Sequence, residues 1–161
     1  MPYIMVKAIT KEGINFENLK YIRNDLIGNT AVKNSLVSEE HVLITRSGNA
    51  GIAANIPPDL AGGVASGFLI KVAIDPSKVN QYYLVAYLNS AIGQLQLERV
   101  AAGSILENIT QDELKTVQIL LPPREIQEHI GKRVRESVYA SAEIRKQMDE
   151  TENAISRLIF N

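Results

Sequence analysis

The last quarter of the chain constrains its fold most. From Arg124 to Asn161 a run of helix-forming residues is interrupted by one glycine, Gly131, and it follows directly on Pro122-Pro123. Proline is tolerated in the first turn of a helix, where the N–H it lacks would have no partner. From Ile130 onward apolar and small residues step by fours and threes: Ile130, Val134, Ser137, Ser141, Ile144, Met148, Thr151, Ile155 and Leu158. That spacing predicts one long helix with a heptad seam, and about 37 residues at 1.5 Å each make a rod of about 55 Å. A domain of about 120 residues is roughly 30 Å across and cannot cover such a rod. The far end of the seam therefore calls for another helix. Ser137, Ser141 and Thr151 weaken the seam as a tight zipper but let a second helix approach closely. The competing arrangement is a helix folded back along its own domain.

The other nine glycines lie before the proline pair, which divides the chain into an expected globular domain, residues 1–121, and a helix, residues 122–161. The first part reads as mixed α and β, so the expected class is α+β with a long C-terminal coiled-coil helix. Tyr3 to Ile9 reads as a strand ending at Lys11-Glu12-Gly13, and Leu19 to Ile22 as another. His41 to Thr45, apolar and β-branched, is the clearest strand; Gly51 to Ile56 continues it as a hairpin. Val64 to Ile74 reads as a strand with Gly67 at a bulge. Asn80 is a good N-cap for a helix to about Val100, with Tyr83, Tyr87, Ile92 and Leu95 at helical spacing. Ala101 to Ser104 reads as a loop, Thr110-x-x-Glu113 as a capping box, and Val117 to Leu121 as a last strand.

Composition removes several kinds of chemistry. There is no cysteine, so disulfides, thiolate metal sites and cysteine nucleophiles are excluded. His41 and His129 are the only histidines, too few for a multi-histidine metal centre. Seventeen basic residues against eighteen acidic give a net charge of −1, which excludes a globally basic nucleic-acid binder but not a local basic face. No run approaches the roughly 20 apolar residues of a membrane span, and no signal-peptide pattern opens the chain, so a cytoplasmic location is expected. No G-x-S-x-G or phosphate-cradling G-x-x-x-x-G-K-[ST] occurs. Glu39-Glu40-His41 reads as a solvated turn before a strand.

The informative cluster is Leu43 to Gly51, where a strand delivers Arg46 into a turn holding Thr45, Ser47, Asn49 and two glycines. Arginine, hydroxyl and amide side chains and bare backbone N–H groups are donors to phosphate oxygens, and arginine is the commonest reader of guanine edges. A hairpin turn whose arginine pairs with a carboxylate accounts for the same spacing equally well. The family resemblance that these motifs carry makes Arg46, Ser47 and Asn49 the leading DNA-contact candidates, with Lys33, Lys71 and Arg99 as lesser phosphate candidates.

Taken in order, these motifs resemble a known family. A strand ending in L-x-T-R-S-G-x-x-G (Leu43–Gly51) is followed by Y-L-x-x-x-L-N-S (Tyr83–Ser90) and G-S-x-x-x-N-I-T (Gly103–Thr110). A run into L-P-P-x-E-x-Q-x-x-I (Leu121–Ile130) then opens the long helix. The series is similar to half of a DNA-specificity subunit of type I restriction–modification systems: one target recognition domain and one spacer helix. The resemblance implies loops that enter the DNA major groove at a half-site and a helix that pairs with a second one. It implies duplex DNA and an adenine methyltransferase subunit as partners, with a homodimer or second half-subunit through the seam. It further implies no catalysis and no cofactor on this chain, S-adenosylmethionine being held by the partner. Three features depart from the family pattern. Glu40-His41 stand where Gly-Asp is usual, Ile105 replaces the threonine of G-S-T, and a further N-terminal segment is expected before Tyr3. Two other readings stay open: an adaptor that oligomerises without binding DNA, and an enzyme using a carboxylate pair such as Glu39 with Asp59.

Overall fold

The computed structural model describes residues 1–23, 29–102 and 108–160, with Phe160 described by its backbone alone. A three-stranded sheet holds the centre. Strand β5 (His41–Thr45) lies between β6 (Ala53–Asn55) and β8 (Leu69–Ala73), antiparallel to both. A second sheet sets β1 (Pro2–Ile4) between β4 (Lys20–Tyr21), antiparallel, and β7 (Val64–Ala65), parallel. Strands β2 (Ile9–Thr10) and β3 (Gly13–Ile14) form a small hairpin. The helices are α1 (Thr30–Ser35), α2 (Gln81–Asn89), α3 (Ala91–Ala102), α4 (Gln111–Leu114) and α5 (Arg124–Phe160).

Strand β5 reads as an unbroken apolar run because both of its faces are covered. Leu43 points into a core with Ile4, Val37, Ile56 and Leu60, while Val42 and Ile44 point into another with Val85, Leu88, Leu97 and Ile109. Burying a side chain such as Leu43 stabilises the fold by roughly 2–3 kcal/mol. The helices dock on this sheet through polar side chains placed for the purpose. The Asn89 amide pairs with the backbone of Ala53 on the free edge of β6, accepting from its N–H at 2.9 Å and donating to its carbonyl at 2.8 Å. Asn80 caps α2, its side chain accepting from the N–H groups of Tyr82 and Tyr83 at 3.0 Å.

Several expected elements are divided. The run from Tyr3 to Ile9 is not one strand: a 3-10 turn over Val6–Ala8 separates β1 from β2. Ile4, Ala8 and Ile9 are all buried, and a straight strand would place Ile9 on the face opposite the other two. Val64 to Ile74 is also two strands. Leu69 N–H closes a turn onto the Ser66 carbonyl, and the halves then pair with β1 and β5 respectively. The helix expected from Asn80 to about Val100 breaks at Ser90, whose Oγ bonds the Tyr87 carbonyl at 2.6 Å while its backbone is extended. A Cβ at Gly93 would fall on that same carbonyl, so glycine lets α3 restart hard against α2. Ala101 and Ala102, expected in a loop, close α3 instead. The capping box forms as expected, Thr110 and Glu113 bonding each other's backbone N–H. Val117 to Leu121, expected as a strand, joins no ladder among the described residues. Side chains take up its backbone instead: Tyr83 and Tyr87 hydroxyls donate to the Leu120 and Gln118 carbonyls, and the Gln96 amide pairs with Gln118.

Helix α5 runs for 37 residues as its sequence predicts, but the heptad seam is not the face it lays on the domain. Its first turns pack on α2 through Gln127 and Gly131. Gln127, buried, accepts from Asn80 N–H at 3.1 Å and donates to the Pro122 carbonyl at 2.9 Å. A Cβ at Gly131 would fall on the Asn80 side chain. The domain-facing line shares Val134 with the seam and continues through Val138, Ala142 and Arg145, each one position, about 100° around the helix, past the seam residues Ser137, Ser141 and Ile144. Of the seam, Ile130 and Val134 are half-buried, whereas Ser137, Ser141, Ile144, Met148, Thr151, Ile155 and Leu158 are exposed. The fold-back arrangement therefore holds for the first half of the rod, and the exposed seam for the rest.

Candidate nucleic-acid interface

The loop after β5 is tightly built. Thr45, at 1% exposure, donates from Oγ1 to the Asn49 carbonyl at 2.5 Å and accepts from Ile52 N–H at 2.8 Å. Gly51 N–H donates to the Thr45 carbonyl at 2.8 Å, closing a compact loop over residues 46–50. Gly48 and Gly51 have φ of +73° and +90°, a region where a side chain is strained. Gly51 also lies against α3, where a Cβ would come within 2.7 Å of Leu97 Cβ. Gln94 fastens the loop to the helices, donating to the carbonyls of Gly51 and Leu88 at 3.0 and 2.9 Å. This rigid base presents Arg46 and Asn49 to solvent, with Ser47 half-buried between them.

Two neighbouring segments meet Arg46. Its backbone N–H donates to the Phe68 carbonyl at 3.0 Å, and its carbonyl accepts from Ile109 N–H at 2.8 Å. Phe68, 66% exposed, therefore stands on the same rim. A cleft of about 450 Å³ borders the loop and is lined by Lys11, Gly48, Asn49, Gln94 and Glu98 among others. The structure thus sets Asn49 in one cleft with Lys11 from the β2–β3 hairpin, with Arg46 and Ser47 on the same loop outside that cleft's lining. It does not bring Lys71 there. That ammonium donates to the carbonyls of Asn34 and Leu36, both at 2.8 Å, and so holds the end of α1. Lys33 is exposed on α1, and Arg99 lies exposed on the flank of α3. The Gly103-Ser104 motif lies outside the described residues.

The acid–base candidates are occupied structurally. Glu39 accepts from the Tyr139 hydroxyl at 2.9 Å, a bond that pushes the phenol up to about 12. Asp59 sits in a different cleft, beside Arg145. His41 accepts at Nδ1 from Ser38 N–H at 2.9 Å, and burial, with the Lys71 charge adding to it, holds its pKa below the ordinary value. Among the described residues no group of three or more histidine or acidic side chains is placed to hold a metal ion. No described helix is long and apolar enough to cross a membrane.

Phe68 and Gln94 were not singled out from the sequence. Phe68 follows Gly67 inside what reads as a strand, and Gln94 is one of several polar residues on α3. Only the pairing of their segments with the Arg46 loop reveals them.

Together these features define a small α+β module with a solvent-facing arginine rim at one end of its sheet and a long helical arm. The chain belongs to the type I restriction modification DNA specificity domain family, whose model matches residues 1–151. It resembles the crystal structure of the HsdS subunit from Thermoanaerobacter tengcongensis, with a TM-score of 0.64 at 21% identity over 98% of this chain. A second similar structure, from work on complex assembly and conformational transition of the type I R-M system, gives 0.63 at 21% identity over the same share. The chain spans 40% of each of those chains. No curated protein matches it.

Proposed function

We propose that this chain is the DNA-reading part of a type I specificity subunit, meeting one half-site of duplex DNA with the rim around Arg46. The observation that carries the reading is the loop over residues 46–50. Its backbone is held by Thr45, Gly51 and Gln94, and its outward groups are an arginine, an amide and glycine backbone, the donors that suit phosphates and base edges. A loop backbone held in this way needs little reordering on contact, so only the outward side chains lose freedom when DNA binds.

In this reading the chain catalyses nothing. It delivers an adenine methyltransferase subunit, which holds the S-adenosylmethionine, to the site in the cytoplasm. The exposed stretch of the seam from Ser137 to Leu158 takes a second helix, from another copy or another half-subunit.

Equilibrium binding to a cognate duplex, with the methyltransferase subunit present, tests the reading. Binding should weaken log-linearly with salt as phosphate contacts release counterions. Arg46→Glu should reduce affinity at least tenfold while circular dichroism and melting temperature stay as in the wild type. Unchanged affinity would remove Arg46 from the site, and absence of any duplex binding would remove the function.

A further inference from the structure

Phe68 stands where the chain crosses from one sheet to the other. Strand β7 pairs with β1 and strand β8 with β5, and between them lies a tight turn closed by Leu69 N–H on the Ser66 carbonyl at 3.0 Å. Gly67 and Phe68 are the central residues of that turn. Glycine, proline, asparagine, aspartate and serine are the usual occupants of such positions, and phenylalanine is not among them. A lone exposed apolar side chain is ordinary on a protein surface, so exposure alone gives Phe68 no role. Three further observations do.

The turn is fixed to the Arg46 loop. Thr45 and Leu69 form the end of the β5–β8 ladder, and the Arg46 N–H then donates to the Phe68 carbonyl. Ser66 and Leu69 are buried, which anchors the base of the turn, while Gly67 and Phe68 face solvent. Gly67 supplies the second observation. Its φ lies outside the positive region that favours glycine, and a Cβ placed there would meet nothing within 4 Å. Neither the turn nor packing inside the chain requires a glycine at this position. Its bare backbone leaves room for another surface to come close beside Phe68. The third observation is the company the ring keeps. Arg46 and Asn49, on the neighbouring loop, are residue types that read guanine and adenine edges in the major groove.

A phenyl ring has no donor or acceptor, so it reads a base edge only by apolar contact. The apolar feature of a base edge in the major groove is the methyl group of thymine. Among the described residues no aromatic side chain lines the adjoining cleft, so no second ring is at hand there to sandwich an extruded base. We infer that Phe68 is a specificity-determining residue that packs on a thymine methyl group beside the bases met by Arg46, with Gly67 allowing the approach. The inference rests on the DNA-reading role proposed for the rim and adds one base to what the rim recognises.

The test uses the full chain with the methyltransferase subunit and the duplex recovered from a random-duplex pool. Deoxyuridine, which lacks the methyl group, replaces each thymine of the recovered motif in turn. At one position the wild type should bind about fourfold more weakly, the effect of leaving one methyl group unburied. Phe68→Ala should bind the thymine and deoxyuridine duplexes equally. Gly67→Ala should keep or raise the urea midpoint, as alanine does at a φ it can adopt, yet bind the thymine duplex roughly threefold more weakly. Equal wild-type affinity for every deoxyuridine duplex, or a motif with no A·T pair, overturns the inference and leaves the DNA-reading role standing. A loss on Phe68→Ala that is the same for all duplexes, with unstacking seen by a fluorescent base analogue, would make the ring a wedge between bases and equally overturn it. Gly67→Ala binding as tightly as the wild type would remove the close approach. If the wild type recovers no duplex, the DNA-reading role itself fails.

Discussion

The two halves of α5 share one helix and one hydrophobic period, yet only the first is packed on its own domain. Up to Arg145 the helix lies on its own domain through Gln127, Gly131, Val138 and Ala142, residues that are polar, small or of modest size. From Lys146 to Ile159 every residue is exposed, including Met148, Ile155 and Leu158. An isolated helix of about 14 residues is marginal in water. Close packing holds the first half, and the second leaves bulkier apolar side chains exposed. The bulk of the apolar residues therefore identifies the unpartnered face, while glycine and alanine identify the packed one.

The sharpest way to break this comparison is to charge the packed line. Ala142→Asp, at a site 9% exposed, should destabilise the monomer by about 3 kcal/mol, read as a lowered urea midpoint. Gly131→Val should cost about 1–3 kcal/mol, because its side chain would need the space of Asn80 and lift α5 from α2. A midpoint unchanged in both would mean that the first half is not docked. Ile144→Asp with Ile155→Asp should act the opposite way. Monomer stability should change by less than about 0.5 kcal/mol, while sedimentation shows any dimer reduced to monomer.

Acidity sharpens the account of the globular part. Burial holds the His41 pKa below 6.5, so the unfolded chain binds a proton there before the folded one does. Stability should therefore be greatest above pH 6.5 and fall as the pH drops below it, and His41→Asn should flatten that slope. The smallest effect is expected at Tyr139. Tyr139→Phe should cost no more than about 1 kcal/mol and remove the phenol titrating at about 12.

The sequence displayed β5, the capping box and the long helix because each is specified locally, by an apolar β-branched run, a four-residue motif and a long periodic stretch. It concealed the breaks at Met5, Gly67 and Ser90, since an apolar run does not say where a strand changes partner. It also overvalued Val117 to Leu121, whose backbone bonds go to the side chains of Tyr83, Tyr87 and Gln96 from distant positions. The same holds at the rim. Arg46, Ser47 and Asn49 were legible because a strand, a turn and two glycines place them within six residues. Lys71 reads as another surface cation, but its bonds to the α1 carbonyls come from 35 and 37 residues away.

As proposed above, the Arg46 rim reads a DNA half-site while the far half of α5 supplies the pairing. Selection from a random-duplex pool, with an adenine methyltransferase subunit present, tests both parts at once. The account predicts enrichment of a short motif, appearing twice at fixed spacing when two copies pair through their helices. Binding without enrichment, or no binding with the methyltransferase subunit present, would contradict it.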